Sequence, residues 1–376
     1  MKNKLLLSSA LVGSLIAGSA ALAQTTVTGD LAIQYRAQEF KASGGLASTR
    51  GFGRESQVNF TNKGKLNNGM DYQAGFSLEF DGGSRNTSTA IGSSAMLGSA
   101  ESNSISNENL YIDFISGTTT LTVGVDHIQN ITTDVIPQIL PAFDNVSAGI
   151  GGKATNTYGA NPKEAFGVGI MQKIPTAGLT ISALYVPRNG DYGTSEQTAP
   201  YSGASVVTAS TADNSLQQPG SRNSAYELGL VGTNAFGVQG LGFRAFMNRE
   251  EAQNSAVPNL NGNRYGVTYA AGQFAVGAEK GKQNRTNGTT STDASQSTKA
   301  YGLTYAATKE VSVGVSHLRT DLANTTLTEK ITSLQVGYNL GPVALAAAFS
   351  DIKDLGATSA TGADAKEVQI RLTTSF

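Results

Sequence analysis

The feature that most constrains this chain is a period-two alternation of apolar and polar residues, sustained in sixteen segments of about ten residues each. In the last of them, 366–376, Val368, Ile370, Leu372, Thr374 and Phe376 share one face and Glu367, Gln369, Arg371, Thr373 and Ser375 the other. Strand side chains point alternately to opposite faces, so each such segment presents an apolar row to one medium and a hydrated row to another. About ten residues is also the length with which a tilted strand crosses a bilayer. A closed barrel with lipid outside and water inside gives every strand both environments at once. The sequence therefore predicts an all-β fold, a transmembrane antiparallel β-barrel of about sixteen strands.

The predicted strands are 26–36, 54–64, 70–80, 107–115, 118–126, 163–172, 178–187, 223–233, 240–249, 261–271, 273–281, 297–307, 310–319, 330–340, 342–352 and 366–376. Their connections fall into two classes that alternate without exception in this reading. Short turns such as Ser116-Gly117, Ala271-Gly272 and Gly341-Pro342 lie at one end, and long segments rich in Ser, Thr, Asn and Gly, such as 82–106 and 188–222, at the other. Tight periplasmic turns opposite long extracellular loops are the pattern of outer-membrane barrels. Aromatic residues repeat the division. Tyr72, Tyr269, Phe274, Tyr305, Tyr338 and Phe376 fall at the short-turn ends, and Tyr35, Phe80, Tyr185, Tyr226 and Phe349 at the opposite ends, as headgroup-level girdles require.

Alternation assigns Val27, Leu31, Ile33, Phe76, Leu78, Leu110, Ile112, Phe114, Leu121, Val123, Leu241, Phe243, Val311, Val313, Leu334 and Val336 to the lipid face. Asp30, Gln34, Arg36, Asn59, Lys63, Gln73, Glu79, Asp113, Glu227, Arg244, Arg264, Glu279, Gln335, Asn339 and Arg371 fall on the water face. A Lys or Arg on the lipid face at the midplane would cost ~2–4 kcal/mol, which explains the segregation.

The start of the chain indicates export. Lys2 and Lys4 precede an apolar stretch over 5–17, followed by small residues ending in Ala21-Leu22-Ala23, the form of a secretory signal with an A-x-A cleavage site. Residues 1–23 are expected to be removed, leaving 24–376 as a single barrel domain. No stretch approaches the ~20 continuous apolar residues of a membrane helix. With 27 basic and 28 acidic residues the formal charge is −1, which gives no support for nucleic-acid binding. Cysteine is absent, so neither thiolate metal sites nor a cysteine nucleophile are available.

The signal, the opening strand Thr26-Val27-Thr28-Gly29-Asp30-Leu31, the strand count and the terminal Phe376 together resemble the Gram-negative general porin family over the whole mature sequence. Thr374 departs from the family, many of whose members carry Tyr at that place. The resemblance implies homotrimers of sixteen-stranded barrels, each with its own pore, in the bacterial outer membrane. It also implies outer-membrane lipid and lipopolysaccharide as surroundings, and recognition of the terminal aromatic, here Phe376, by the barrel assembly machinery. In that family the third long loop folds into the lumen. The matching segment is 127–162, and its Ile128, Ile131, Val135, Ile136, Ile139, Leu140 and Phe143 are apolar anchors suited to a barrel wall rather than to a surface loop. The reading places Asp126, Asp134 and Asp144 at a pore constriction facing some of Arg36, Lys63, Arg244, Arg264 and Arg371, where low-dielectric walls focus charge across a narrow aqueous path.

Other motifs carry no chemistry. Gly149-Ile150-Gly151-Gly152-Lys153 imitates a phosphate loop, but Ser147 stands where Gly is needed and Ala154 where Ser or Thr is needed. An outer-membrane hydrolase would need a Ser and a His within hydrogen-bond reach on the wall, whereas the two histidines, His127 and His317, are expected at the rim, one at a loop entrance and one near an extracellular strand end. The expected function is passive diffusion of small hydrophilic solutes and ions without cofactor, metal or covalent catalysis. A solute-specific channel and a structural or adhesive barrel with a plugged lumen are the alternatives.

Overall fold

The computed structural model describes residues 24–40, 49–83, 106–125, 127–128, 136–139, 166–187, 222–252, 259–285, 295–323, 326, 328–354 and 364–376. The strands are β1 (Gln24–Phe40), β2 (Thr49–Lys65), β3 (Asp71–Gly83), β4 (Ser106–Ser116), β5 (Thr119–Val125), β6 (Gly167–Ile174), β7 (Leu179–Val186) and β8 (Arg222–Thr233). They continue with β9 (Leu241–Ala252), β10 (Leu260–Ala271), β11 (Phe274–Arg285), β12 (Gln296–Ala306), β13 (Val311–Leu322), β14 (Thr328–Asn339), β15 (Val343–Lys353) and β16 (Ala365–Ser375). Each pairs antiparallel with its sequence neighbours, and β1 pairs with β16, so the sheet closes into a barrel without an edge. The expected signal at 1–23 lies outside the described residues.

All sixteen predicted strands are present. Several run further toward the long-connection end than alternation suggested: β1 and β2 span 17 residues each. Ladder hydrogen bonds do not depend on lipid, so pairing continues where the apolar row has stopped. This growth breaks the strict segregation of connection lengths. The connection 323–327 at the long end is shorter than 234–240 at the other, which holds a 3-10 turn, Ala235–Gly237. The tightest turns follow local chemistry. Gly117 (φ 58°) and Gly272 (φ 59°) supply the positive φ that a two-residue hairpin needs at its first position.

Register confirms the two faces. Ile33 lies opposite Leu372 on the outer wall, and the next pair, Gln34 and Arg371, points inward. Val27, Leu31, Ile33, Leu110, Ile112, Leu121, Val123, Leu334 and Val336 are exposed outside, while Gln34, Arg36, Glu79, Asp113, Glu227, Arg264, Glu279, Gln335 and Arg371 are buried inside. Two aromatics break the girdle pattern. Tyr111 and Phe246 are buried on the inner wall, opposite Gly75 and near Gly229.

The β1–β16 junction runs from Phe40 with Ala365 to Asp30 with Ser375, and Phe376 extends it by one pair. Phe376 and Gly29 exchange two backbone hydrogen bonds, each of 2.9 Å. The Phe376 ring covers Gly29 so closely that a Cβ there would stand 2.2 Å from Cζ. Tyr72 covers Gly64 and Phe243 covers Gly232 in the same manner. A glycine opposite an aromatic lets the ring lie flat across the neighbouring strand, a device that pins register.

Substituting Gly29→Val should therefore displace the terminal ring and cost about 1–3 kcal/mol, the usual penalty of overpacking. A urea unfolding midpoint shifted downward, with less of the compact form in unheated gel electrophoresis, is the expected result. An unchanged midpoint would contradict this account of closure.

Candidate functional site in the barrel lumen

The inner wall divides into a polar and an apolar sector. At the seam, Arg36 Nε donates to Glu367 Oε2 at 2.8 Å and Arg371 Nε donates to Gln34 Oε1 at 3.1 Å. The Gln369 amide donates to the same Glu367 carboxylate. All five side chains are buried. On β10 and β11, Arg264 Nη2 donates to both Glu279 oxygens, at 2.9 and 2.8 Å, and both side chains have zero exposure. Pairing on the wall itself is what permits such charges to be buried, since an uncompensated ion in a low-dielectric interior is expensive.

A second cluster lies on β4. The His127 ring stacks on Tyr111 with centroids 3.3 Å apart and planes 2° from parallel, and His127 Nε2 is 3.0 Å from Asp113 Oδ2. Asp113 Oδ1 accepts from Thr122 Oγ1 at 2.6 Å, and the Tyr111 hydroxyl accepts from Gln73 Nε2 at 2.7 Å. His127 is thus packed inside the barrel, not set at its rim. The rim expectation missed that the water-facing row of β4 carries Tyr111 beside Asp113, a platform and an acceptor for the first loop residue.

The third long connection follows, and its described pieces rest on two sectors of the inner wall. Ile128 packs with Leu184, Val186 and Ala225, inward side chains of β7 and β8. It lies so close to β6 that a Cβ on Gly169 would stand 1.9 Å from Ile128 Cδ1. Further on, residues 136–139 lie against β11–β14, where the inward positions nearest them are glycines. A Cβ on Gly277 would approach Pro137 Cδ to 2.7 Å, one on Gly302 the Pro137 carbonyl oxygen to 2.5 Å, and one on Gly337 Ile139 Cγ2 to 2.8 Å. The Ile139 N–H donates to Gln335 Oε1 at 2.7 Å, and Gln335 Nε2 donates to Ser316 Oγ at 3.2 Å. Ile136 joins an apolar cluster of Val231, Phe246, Ala300, Leu318, Ile331, Ile352 and Ala365. Register makes the last five of these one continuous inner row across β12–β16.

The five wall cations named from sequence all point inward but fall into two groups. Arg36, Lys63 and Arg371 stand on β1, β2 and β16, whereas Arg244 and Arg264 stand on β9 and β10. Arg36, Arg264 and Arg371 are 0–7% exposed and hydrogen-bonded to wall residues rather than solvated, and only Lys63 is exposed. Asp126, Asp134 and Asp144 lie outside the described residues, as do Ile131, Val135, Leu140 and Phe143. Sequence reasoning missed the wall carboxylates Glu279 and Glu367 as partners, and it missed the glycine-lined seat. Gly277, Gly302, Gly314 and Gly337 sit at inward positions of four successive strands, a periodicity visible once the faces are assigned.

Among the described residues, no group of three or more His, Cys, Asp or Glu side chains is arranged to hold a metal ion, and no helix is long and apolar enough to cross a membrane. The barrel is similar to an anion-selective porin from Comamonas acidovorans, with a TM-score of 0.62 at 11% identity, over 94% of this chain and 100% of that one. It is also similar to a porin refined at 1.8 Å, with a TM-score of 0.57 at 12% identity, and to Rhodopseudomonas blastica porin, with 0.52 at 11%, each at the same coverage. No curated protein matches the sequence significantly. The sequence model for Gram-negative porins matches residues 8–307. With that match over most of its length and a closed sixteen-stranded barrel around a polar lumen, the chain belongs to the Gram-negative porin family, outer-membrane channels for passive diffusion of solutes.

Proposed function

We propose that this channel passes small hydrophilic solutes and ions without a covalent step, along a path narrowed by the third long connection, 127–162. The observation that supports the reading is the seating of that connection at two places on the inner wall, Ile128 against β6–β8 and residues 136–139 against β11–β14. A loop attached to two sectors of one wall leaves the intervening aperture as the route for solute. The remaining route is bordered by the polar sector, where Lys63, Gln73 and Asp113 point inward. Asp126, Asp134 and Asp144 are the loop carboxylates that would set the field there against Lys63, since Arg36 is engaged by Glu367, Arg264 by Glu279, and Arg371 is buried against Gln34.

Export by removal of 1–23, long connections facing outward, a homotrimer, and insertion by the barrel assembly machinery through Phe376 complete the reading. Outer-membrane lipid and lipopolysaccharide are its surroundings.

Purified protein in planar bilayers should give stepwise, ohmic conductance increments, and liposomes containing it should swell in small sugars. Folded barrels that never conduct would establish a plugged or structural role, and saturable block by one solute class a specific channel.

Gly302→Val places side-chain atoms where the Pro137 carbonyl lies and should dislodge the loop. A stability cost of about 1–3 kcal/mol is expected, together with larger and noisier single-channel conductance. Unaltered conductance in a folded variant would separate the loop from the constriction.

Replacing Asp126, Asp134 and Asp144 together by Asn should move the reversal potential in a salt gradient toward anion selectivity, because it removes negative charge from a focused field. No movement would remove these carboxylates from the permeation path.

A further inference from the structure

The polar sector of the inner wall carries one row of side chains that register joins across four strands. Lys63 on β2 is opposite Gln73 on β3, Gln73 opposite Asp113 on β4, and Asp113 opposite Thr122 on β5. Lys63 and Asp113 are thus two strand spacings apart, about 10 Å. Lys63 is exposed to the lumen, whereas the Asp113 side chain is only 7% exposed. Its Oδ1 is held by Thr122, and its Oδ2 faces His127 Nε2 at 3.0 Å. The first described residue of the third long connection therefore adds a titratable ring to a row that already holds one cation and one carboxylate.

The site accommodates that ring in either charge state. Nε2 faces a carboxylate oxygen, so the neutral imidazole keeps its proton there and leaves Nδ1 as an acceptor. Among the described residues no hydrogen bond engages Nδ1, and the side chain is 26% exposed, so a second proton can be taken up from the lumen. The cation is then supported by a charge-assisted bond to Asp113 and by the face of Tyr111, whose centroid lies 3.3 Å away. Imidazole is the side chain that ordinarily changes charge between pH 5 and 8. The other charged groups on the strands around it stand further off. Asp71 on β3 is paired with Lys65 near the short-turn end, Glu79 is buried further along β3, Lys173 ends β6, and Glu227 on β8 is buried beside Asn248.

We propose that the pair of His127 and Asp113 is a proton-controlled charge on the wall of the solute route, and that it sets the ion preference of the channel. With the imidazolium the pair is neutral, and the row with Lys63 carries one net positive charge. With the neutral imidazole the pair keeps the carboxylate charge, and the row sums to zero. Acidification through the titration of the ring therefore favours anions, and a rise in pH favours cations. The proposal rests on the reading that solutes pass beside the polar sector.

The test is the reversal potential of the full mature barrel in planar bilayers of neutral lipid, under a potassium chloride gradient, between about pH 5.5 and 7.5. The chloride-to-potassium permeability ratio of the wild type should rise roughly twofold or more as the pH falls, the effect of one unit charge beside a narrow aqueous path. His127→Gln keeps an uncharged donor and should hold the ratio near the wild-type value at the upper pH throughout. His127→Lys keeps a positive charge and should hold it near the value at the lower pH. His317→Gln alters the other histidine, exposed on the outer wall, and should leave the wild-type profile unchanged. A histidine with a packing role alone would make both His127 variants lose stability or conductance alike, whereas a switchable charge moves their selectivity in opposite directions. A conducting wild type whose ratio ignores pH, or a pH slope that survives in both His127 variants, would overturn the proposal and leave the channel reading standing. Barrels that never conduct would overturn both.

Discussion

Everything in this molecule depends on closing the backbone ladder. In hydrocarbon no water reaches an unpaired N–H or C=O, so a sheet edge is not tolerated and the first strand has to meet the last. The β1–β16 pairing, from Asp30 with Ser375 to Phe40 with Ala365, supplies that junction. The Gly29–Phe376 pair extends it to the chain terminus. Closure makes the two faces inequivalent, and once they are, each strand's alternation sorts its side chains between lipid and lumen.

Within the lumen the wall neutralises its own charge. Arg264 with Glu279, and Arg36 with Glu367, are ion pairs held between neighbouring strands. Removing one partner of such a buried pair typically costs about 3–5 kcal/mol by leaving the other uncompensated. These pairs therefore stiffen the cylinder. The charges left to act on a solute are more exposed ones such as Lys63, together with those that the third long connection contributes.

That connection is held by the absence of side chains as much as by their presence. Four inward glycines on β11–β14 leave a trough at backbone level, and Pro137 and Ile139 occupy it. Around the trough the inner wall is apolar, from Phe246 through Leu318 to Ile352, and there the outer wall carries a row of cations, Lys299 opposite Arg319 and Arg319 opposite Lys330. Seen strand by strand, the alternation keeps its period while its sense reverses. Ile136 joins the inner apolar row in one cluster, and the outer basic row lies beyond the apolar band.

Strand number, order and facing were legible because a period of two is a local property that lipid and water read directly. Leu31 beside Asp30, or Leu334 beside Gln335, needs no knowledge of distant residues to be assigned a side. Strand ends were less legible: β1 and β2 keep pairing beyond the apolar row, and 323–327 shrinks to a short connection as a result. The lumen was legible only in part. Arg264 was correctly turned inward, but its burial against Glu279 depends on register between two strands, and the stacking of His127 on Tyr111 depends on a loop folding back over β4. The amino-acid sequence by itself determined a closed two-faced barrel with an apolar exterior and a polar interior. Which charges neutralise one another, where the loop is seated and which outer cations line up were decided only by the tertiary structure, because these are relations between strands that register brings together across the sheet.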